Sequence, residues 1–254
     1  MNHAERTFII SGAGTGIGRA IAIALAAAGN RVILLGRTEA TLEDTRVTLT
    51  DPDRHRIIVA DVRDAHALRQ QLDRLAPTLT GIVANAGICS SNAYGDDDCW
   101  DQLLDVNLKG TYVFVQEAMR FIAPPSAGYR HVLVVSSLTS RIGLRNYSAY
   151  TASKTAQLGL VRCWAMQYAH EKILVNALVP GFVKGEMAER GFADLAASDG
   201  IDYETMLRKQ LNHIPLRKIC EPEEIGAYAE FLLPGKQISI TGQAIDINNG
   251  VAMT

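Results

Sequence analysis

The chain has 254 residues, 48% of them hydrophobic and 20% charged, with a formal net charge of -2. That is enough apolar material for a full core, and no interval reads as a linker, so a single domain over residues 1–254 is expected. Mixed charge throughout gives neither a basic stripe for nucleic acid nor an acidic tail, which leaves small-molecule partners as the better fit and no nucleic-acid or membrane partner.

The first apolar run, Thr7 to Ile10, passes at once into Ser11 Gly12 Ala13 Gly14 Thr15 Gly16 Ile17 Gly18, and an alanine-rich helix over 19–29 follows, stopped by Gly29. Strand, glycine turn and helix in this order bring bare backbone N–H groups at a helix N-terminus close to a pyrophosphate. The glycines read Gly12-x-x-x-Gly16-x-Gly18 and do not fit G-x-G-x-x-G in any register. A second strand, Arg31 to Leu35, ends in Gly36 Arg37. At that position of dinucleotide folds a carboxylate accepts from the ribose 2′-hydroxyl of NAD, whereas an arginine accommodates the 2′-phosphate of NADP. Arg37 therefore points to NADP, with a solvated strand-end charge as the plainer alternative.

A helix over 39–50 and a strand Arg56 to Ala60 lead to Asp61 Val62, where Asp61 either accepts from an adenine amino group or caps the helix begun at Asp64. The helix over 64–76 stops at Pro77, and the strand Gly81 to Ala84 delivers the small-residue turn Asn85 Ala86 Gly87. A polar loop over 88–98 is a candidate pocket wall, its run Asp96 Asp97 Asp98 suited to capping the helix over 97–120. That helix carries Asn107 among apolar neighbours, either as a hydrogen-bonded structural amide or as a water holder.

The buried strand ending at Ser136 presents Ser137 at its C-terminal end, where open α/β sheets bind ligands. Tyr150 and Lys154 then stand at i and i+4 of a helix, sharing a face. An adjacent cation is expected to lower the phenol pKa and make Tyr150 a general acid, although the pair alone reads more readily as a surface tyrosine packed along a lysine stem. Strand 173–179 runs into Pro180 Gly181, residues 182–214 form a polar insertion with the look of a mobile lid, and helix 222–233 and strand 244–248 close the chain. The 88–98 loop, Leu138 to Tyr147 and the lid supply the pocket candidates, among them Tyr94, Arg141 and Arg145.

Neither the run Ala20 to Ala28 nor the start Met1 to Arg6 suggests a bilayer span or a signal peptide, so the chain reads as cytoplasmic. Cys89, Cys99, Cys163 and Cys220 are widely spaced and the histidines form no ligand-spaced cluster, which favours free thiols and no metal site.

Seven strands alternating with helices predict a doubly wound seven-stranded parallel sheet, the Rossmann fold. With the glycine turn, Asn85 Ala86 Gly87, Asn107, Ser137, Tyr150, Lys154 and Pro180 Gly181 in this order, the chain resembles the classical short-chain dehydrogenase/reductase family over residues 5–251. The resemblance implies an NAD(P)-dependent oxidoreductase, with Tyr150 as acid or base and Ser137 steadying the substrate oxygen. It implies that Lys154 lowers the Tyr150 pKa and holds the nicotinamide ribose, while Asn107 keeps a water linking Lys154 to solvent. It assigns Gly12, Gly14, Thr15, Gly16, Ile17 and Gly18 to the pyrophosphate, Arg37, Asp61 and Val62 to the adenosine, Asn85, Ala86 and Gly87 to the adenosine and ribose region, and Pro180, Gly181 and Val183 to the nicotinamide. It also implies a homotetramer or homodimer. Three places depart from the family pattern: Ala84 for asparagine, Gly185 for a cofactor-contacting threonine, and Asn248 Asn249 Gly250 for Asp-Gly-Gly.

The leading expectation is NADPH-dependent reduction of a ketone, of 3-oxoacyl or another type. NAD-dependent oxidation of a secondary alcohol and a non-catalytic dinucleotide sensor are the alternatives, and the lack of any Gly-x-Ser-x-Gly elbow argues against a serine hydrolase.

Overall fold

The computed structural model describes residues 6–253 apart from 234 and 236, so Met1 to Glu5, part of the stretch that bears on a signal peptide, lie outside the described residues. Seven parallel strands, β1 (Thr7–Ser11), β2 (Arg31–Gly36), β3 (Arg56–Val59), β4 (Gly81–Ala84), β5 (Arg130–Val135), β6 (Ile173–Pro180) and β7 (Ala244–Ile247), form one sheet in the order β3-β2-β1-β4-β5-β6-β7. The chain winds outward one way from β1 to β3 and the other way from β4 to β7. Between β1 and β4 the loops diverge, which opens a crevice at the C-terminal edge of the sheet.

The strands are nearly continuous runs of apolar residues because both faces are covered. Successive side chains alternate between the two layers. Ile9, Val132 and Val134 enter the core beneath α3 (Ala65–Leu75), α5 (Gly110–Met119) and α6 (Ser148–Tyr168), while Phe8, Ile10, Leu133 and Val135 enter the one beneath α1 (Gly16–Ala27) and α9 (Pro222–Leu232). Gly226 makes the second layer thin, since a Cβ there would stand 2.7 Å from the Ala20 carbonyl oxygen. The remaining helices are α2 (Glu39–Arg46), α4 (Trp100–Leu104), α7 (Glu186–Asp199) and α8 (Tyr203–His213).

Two elements differ from the sequence reading. Helix α2 ends at Arg46 rather than near 50, because the Thr48 hydroxyl donates to the Thr45 carbonyl at 2.7 Å and the backbone tightens into turns. The helix expected over 97–120 starts at Trp100 and contains a π turn, Asp105–Lys109, between α4 and α5. Such a turn shifts the register of the carbonyls, and it falls at Asn107. The 182–214 insertion holds α7 and α8, pinned by Phe192 against Phe182, ring centroids 4.8 Å apart, and against Tyr203 at 6.5 Å. All four cysteines are free, and among the described residues no helix is long and apolar enough to cross a membrane.

Candidate active site

Parallel strands deliver their C-terminal ends to one side, so the glycine turn, Arg37, Asp61, the Asn85 turn, Ser137 and Pro180 all meet along one edge of the sheet. The glycine turn is held from behind. Backbone N–H groups of Asn85 and Ala86 donate to the Ser11 hydroxyl at 3.0 and 3.1 Å, and the Asn85 amide donates to the carbonyls of Ser11 and Gly12, both at 3.1 Å. Gly12 and Gly18 permit that contact: a Cβ on Gly12 would stand 2.9 Å from the Ala86 Cα, and one on Gly18 would stand 2.2 Å from the Gly12 oxygen. Gly14 instead faces α2, where a Cβ would lie 2.4 Å from the Thr41 hydroxyl oxygen. Gly16 is different, with a φ of +51 and nothing within 4 Å of its absent Cβ. The first turn of α1 holds no acidic residue and its N-cap Thr15 makes no side-chain bond, so N–H groups around Gly16 and Ile17 face open space. This cradle fits the pyrophosphate of a dinucleotide.

At the ends of β2 and β3, Arg37 is exposed and makes no ion pair or side-chain hydrogen bond among the described residues, whereas Asp61 is engaged by Arg63 at 2.8 and 3.0 Å. The Arg63 guanidinium, with burial opposing it and Arg37 as a weaker charge, holds the Asp61 carboxyl below its usual range. Asp61 does not cap α3; Asp64 does, accepting from the Ala67 N–H at 2.9 Å, because its side chain lies over the first turn. Val62 is buried, and a Cβ on Gly110 would meet it at 2.7 Å. At the other end Gly181 donates its N–H to the Ile247 carbonyl at 2.9 Å, and Val183 bridges to Cys220 and packs on the second core.

Tyr150 and Lys154 are buried, at 8% and 4% exposure. The Tyr150 phenol is close enough to Ser137, just past the end of β5, for that hydroxyl to act on its ionisation. The Lys154 ammonium donates to the Val135 carbonyl at 2.9 Å, and the Ser136 hydroxyl donates to the Lys154 carbonyl at 2.8 Å, so α6 is tied to β5 beside the Tyr150 and Lys154 side chains. The expected lowering of the Tyr150 pKa is not what the protein alone produces. Burial dominates and pushes the phenol well above its ordinary value, with the Cys89 thiol adding to the rise and the Ser137 hydroxyl opposing it. Lys154 stands 5.8 Å from the ring centroid with its ammonium directed at a carbonyl, and burial drops its own pKa to about 8.

Asn107 lies behind this pair, fully buried on the π turn. Its amide donates to the Ile88 carbonyl at 2.9 Å and to the Ser153 hydroxyl at 3.1 Å, and accepts from the Ile88 N–H at 2.8 Å. Its backbone carbonyl accepts from Gln157 and Thr111, each at 2.7 Å. A Cβ on Gly87 would meet the Asn107 oxygen at 3.1 Å and the Lys154 nitrogen at 3.4 Å, so the Asn85 turn, Asn107 and Lys154 converge on one point.

The family model described as enoyl-(acyl carrier protein) reductase matches residues 12–252. A short-chain dehydrogenase/reductase of Armillaria gallica is 31% identical over 97% of this chain and 95% of its own. The chain belongs to the classical short-chain dehydrogenase/reductase family. It is thus an NAD(P)-dependent oxidoreductase acting on CH–OH or carbonyl groups. A 3-oxoacyl-[acyl-carrier-protein] reductase of Staphylococcus aureus is 29% identical over 98% of each chain. A Beutenbergia cavernae structure, described as an NAD(P)-dependent gluconate 5-dehydrogenase and solved with NADP bound at low occupancy, aligns with a TM-score of 0.85 at 30% identity over 98% of this chain and 97% of that one.

Against this family background, several residues matter that sequence reasoning passed over. Asn92 accepts at its side-chain oxygen from the Ala149 N–H at 2.9 Å and from the Ser148 hydroxyl at 3.2 Å, capping α6 just before Tyr150. No local pattern signals a cap contributed from so far away in sequence. Cys89 and Tyr147 border the site beside Tyr150, joined by Leu103, Leu144 and Leu195. Three suggested pocket groups turn elsewhere: Arg141 pairs with Asp246 at 3.1 Å, Arg145 with Asp199 at 3.3 Å, and Tyr94 is fully exposed. Asp98, the last of the acidic run, accepts from the Trp100 N–H at 3.0 Å and so does serve the start of α4.

Proposed function

We propose that the chain catalyses the NADPH-dependent reduction of a ketone to a secondary alcohol, with Tyr150 as the proton donor. The observation that carries this reading is the buried Tyr150 phenol beside Ser137, which burial keeps in its protonated form. When bound, NADPH supplies the hydride that reaches the carbonyl carbon. As charge grows on the carbonyl oxygen, Ser137 and Tyr150 meet it with two fixed donors, and the Tyr150 proton passes to that oxygen. Lys154 holds the nicotinamide ribose and offers a positive charge beside the phenolate left behind. Asn107 fixes the Gly87 and Ile88 backbone against Lys154.

The cradle at Gly12, Thr15, Gly16, Ile17 and Gly18 takes the pyrophosphate, while Pro180, Gly181 and Val183 flank the nicotinamide. Arg37, free of ion pairs among the described residues, takes the 2′-phosphate, a choice supported by the NADP-bound Beutenbergia relative. A 3-oxoacyl substrate is favoured by the Staphylococcus relative. We read the protein as cytoplasmic, and as a homotetramer or homodimer through the outward faces of α5 and α6, where Tyr112 and Met166 are exposed.

The test is a paired titration of wild type and Arg37→Ala with NADPH and NADH. Preference for NADPH of tenfold or more, equivalent to about 1.4 kcal/mol, that disappears in Arg37→Ala supports the assignment. Equal binding of the two cofactors by wild type overturns it in favour of an NAD-dependent alcohol dehydrogenase.

A further inference from the structure

Four buried side chains on one face of α6 carry polar groups: Tyr150, Ser153, Lys154 and Gln157, at the i, i+3, i+4 and i+7 spacing that a core-facing helix ordinarily fills with apolar residues. Tyr150 and Lys154 serve the chemistry, and the Ser153 hydroxyl accepts from the Asn107 side-chain amide at 3.1 Å. Gln157 lies one turn further along and is 1% exposed. Its amide nitrogen donates to the Asn107 backbone carbonyl at 2.7 Å and to the Thr111 hydroxyl at 3.0 Å, and that hydroxyl donates to the same carbonyl at 2.7 Å. Stability alone does not account for a glutamine here. Its side-chain oxygen is buried without a hydrogen-bond partner among the described residues, a cost that an apolar side chain of similar size would avoid. What Gln157 supplies is a donor for a carbonyl on the π turn, where the backbone leaves the regular α-helical register. Asn107 is thus gripped from α6 at two points, its side chain by Ser153 and its backbone by Gln157, with Lys154 between them in the chain. The Asn107 side-chain oxygen and the Lys154 nitrogen meet at Gly87, where a single added Cβ would touch both, at 3.1 and 3.4 Å.

We propose that Gln157 is a positioning residue: by clamping the π turn to α6 it sets how the Asn107 side chain and the Gly87 backbone stand against the Lys154 ammonium, and so keeps that ammonium aimed at the nicotinamide ribose. This rests on the reading above that Lys154 holds the ribose, and it carries the contact's support one helical turn beyond Lys154 itself. Without the Gln157 donor the π turn is free to move against α6, and Asn107 and Gly87 move with it. The ends of β2 and β3, which hold the adenosine, lie on the other side of β1 and do not feel that change.

The experiment measures the dissociation constants of NADPH and of adenosine 2′,5′-bisphosphate, which has no nicotinamide ribose, together with the melting temperature of each protein. The variants are Gln157→Met, similar in volume but without the donor, Thr111→Val, which removes the other donor to the same carbonyl, and Leu72→Ala, a cavity on α3 in the same core layer. In Gln157→Met, NADPH is expected to bind about tenfold more weakly, as for the loss of one hydrogen bond to a charged group, while the bisphosphate stays within about twofold of wild type. Thr111→Val shifts the ratio of the two constants in the same direction, and carries the test if Gln157→Met does not fold. Leu72→Ala melts at a lower temperature yet keeps that ratio within about twofold of wild type. A ratio unchanged in Gln157→Met and Thr111→Val, or shifted as far by Leu72→Ala, overturns the inference. A wild type that binds NADPH but reduces no ketone overturns the reductase reading alone, because this inference is read from binding. A wild type that binds no NADPH overturns the cofactor assignment and this inference with it.

Discussion

Lys154 offers a prediction in which stability and activity move in opposite directions. Its ammonium is almost wholly buried and, among the described residues, faces no carboxylate partner and keeps one hydrogen bond, to the Val135 carbonyl. Burial lowers its pKa from 10.5 to about 8, so the folded state holds this proton less tightly than the unfolded chain does. The sign follows: between those two values the unfolded chain binds more protons, and this group makes stability rise with pH. At pH 7 the charged form therefore costs the fold about 3 kcal/mol. Lys154→Met removes that penalty and forfeits one hydrogen bond, worth about 1 kcal/mol. The variant should be about 2 kcal/mol more stable than wild type at pH 7, as measured by urea unfolding, and inactive. By pH 9.5 wild-type Lys154 is mostly neutral when folded, about 2 kcal/mol of the penalty is gone, and the two proteins should be equally stable. A Lys154→Met protein less stable than wild type at pH 7, or a stability difference that does not change with pH, would refute the reasoning.

Asn92→Ala removes the cap of α6 and should lower stability by about 1 kcal/mol, with a fall in kcat larger than that of a remote surface change, because Tyr150 lies in the first turn; urea unfolding and steady-state kinetics check both. Gly18→Ala places a Cβ 2.2 Å from the Gly12 carbonyl and 2.5 Å from the Asn85 amide, neither of which can give way without disturbing the cradle. Cofactor binding followed by fluorescence should be lost or reduced more than about tenfold, with a melting temperature several degrees lower. In the direction of reduction, the raised Tyr150 pKa predicts that the proton donor stays loaded through neutral pH, so kcat/KM should begin to fall only on the alkaline side.

The fold was legible because each strand is a short apolar run and each crossover carries a helix, a pattern with few topological solutions. The positions of Ser137, Tyr150 and the glycine turn followed, since parallel strands bring their C-terminal ends together. What the sequence hid was long-range partnership. Asn92 looks like one more polar loop residue until α6 ends against it, and Asn85 looks like a ligand-facing amide until its bonds to Ser11 and Gly12 show it holding the glycine turn. The Tyr150 pKa was misjudged for a related reason. Helical spacing brings Lys154 to the same face but says nothing of depth, and at this depth desolvation outweighs the neighbouring charge. Arg141 and Arg145, read as pocket groups, were claimed by Asp246 and Asp199, whose proximity no periodicity encodes.

The most direct test of the account is the rate of NADPH-dependent ketone reduction by Tyr150→Phe, measured at saturating cofactor alongside the NADPH dissociation constant. Losing the phenol proton should lower kcat by about 10²- to 10⁴-fold while NADPH still binds within a fewfold of wild type. A variant that retains turnover within a fewfold of wild type would contradict the assignment of Tyr150 as the proton donor.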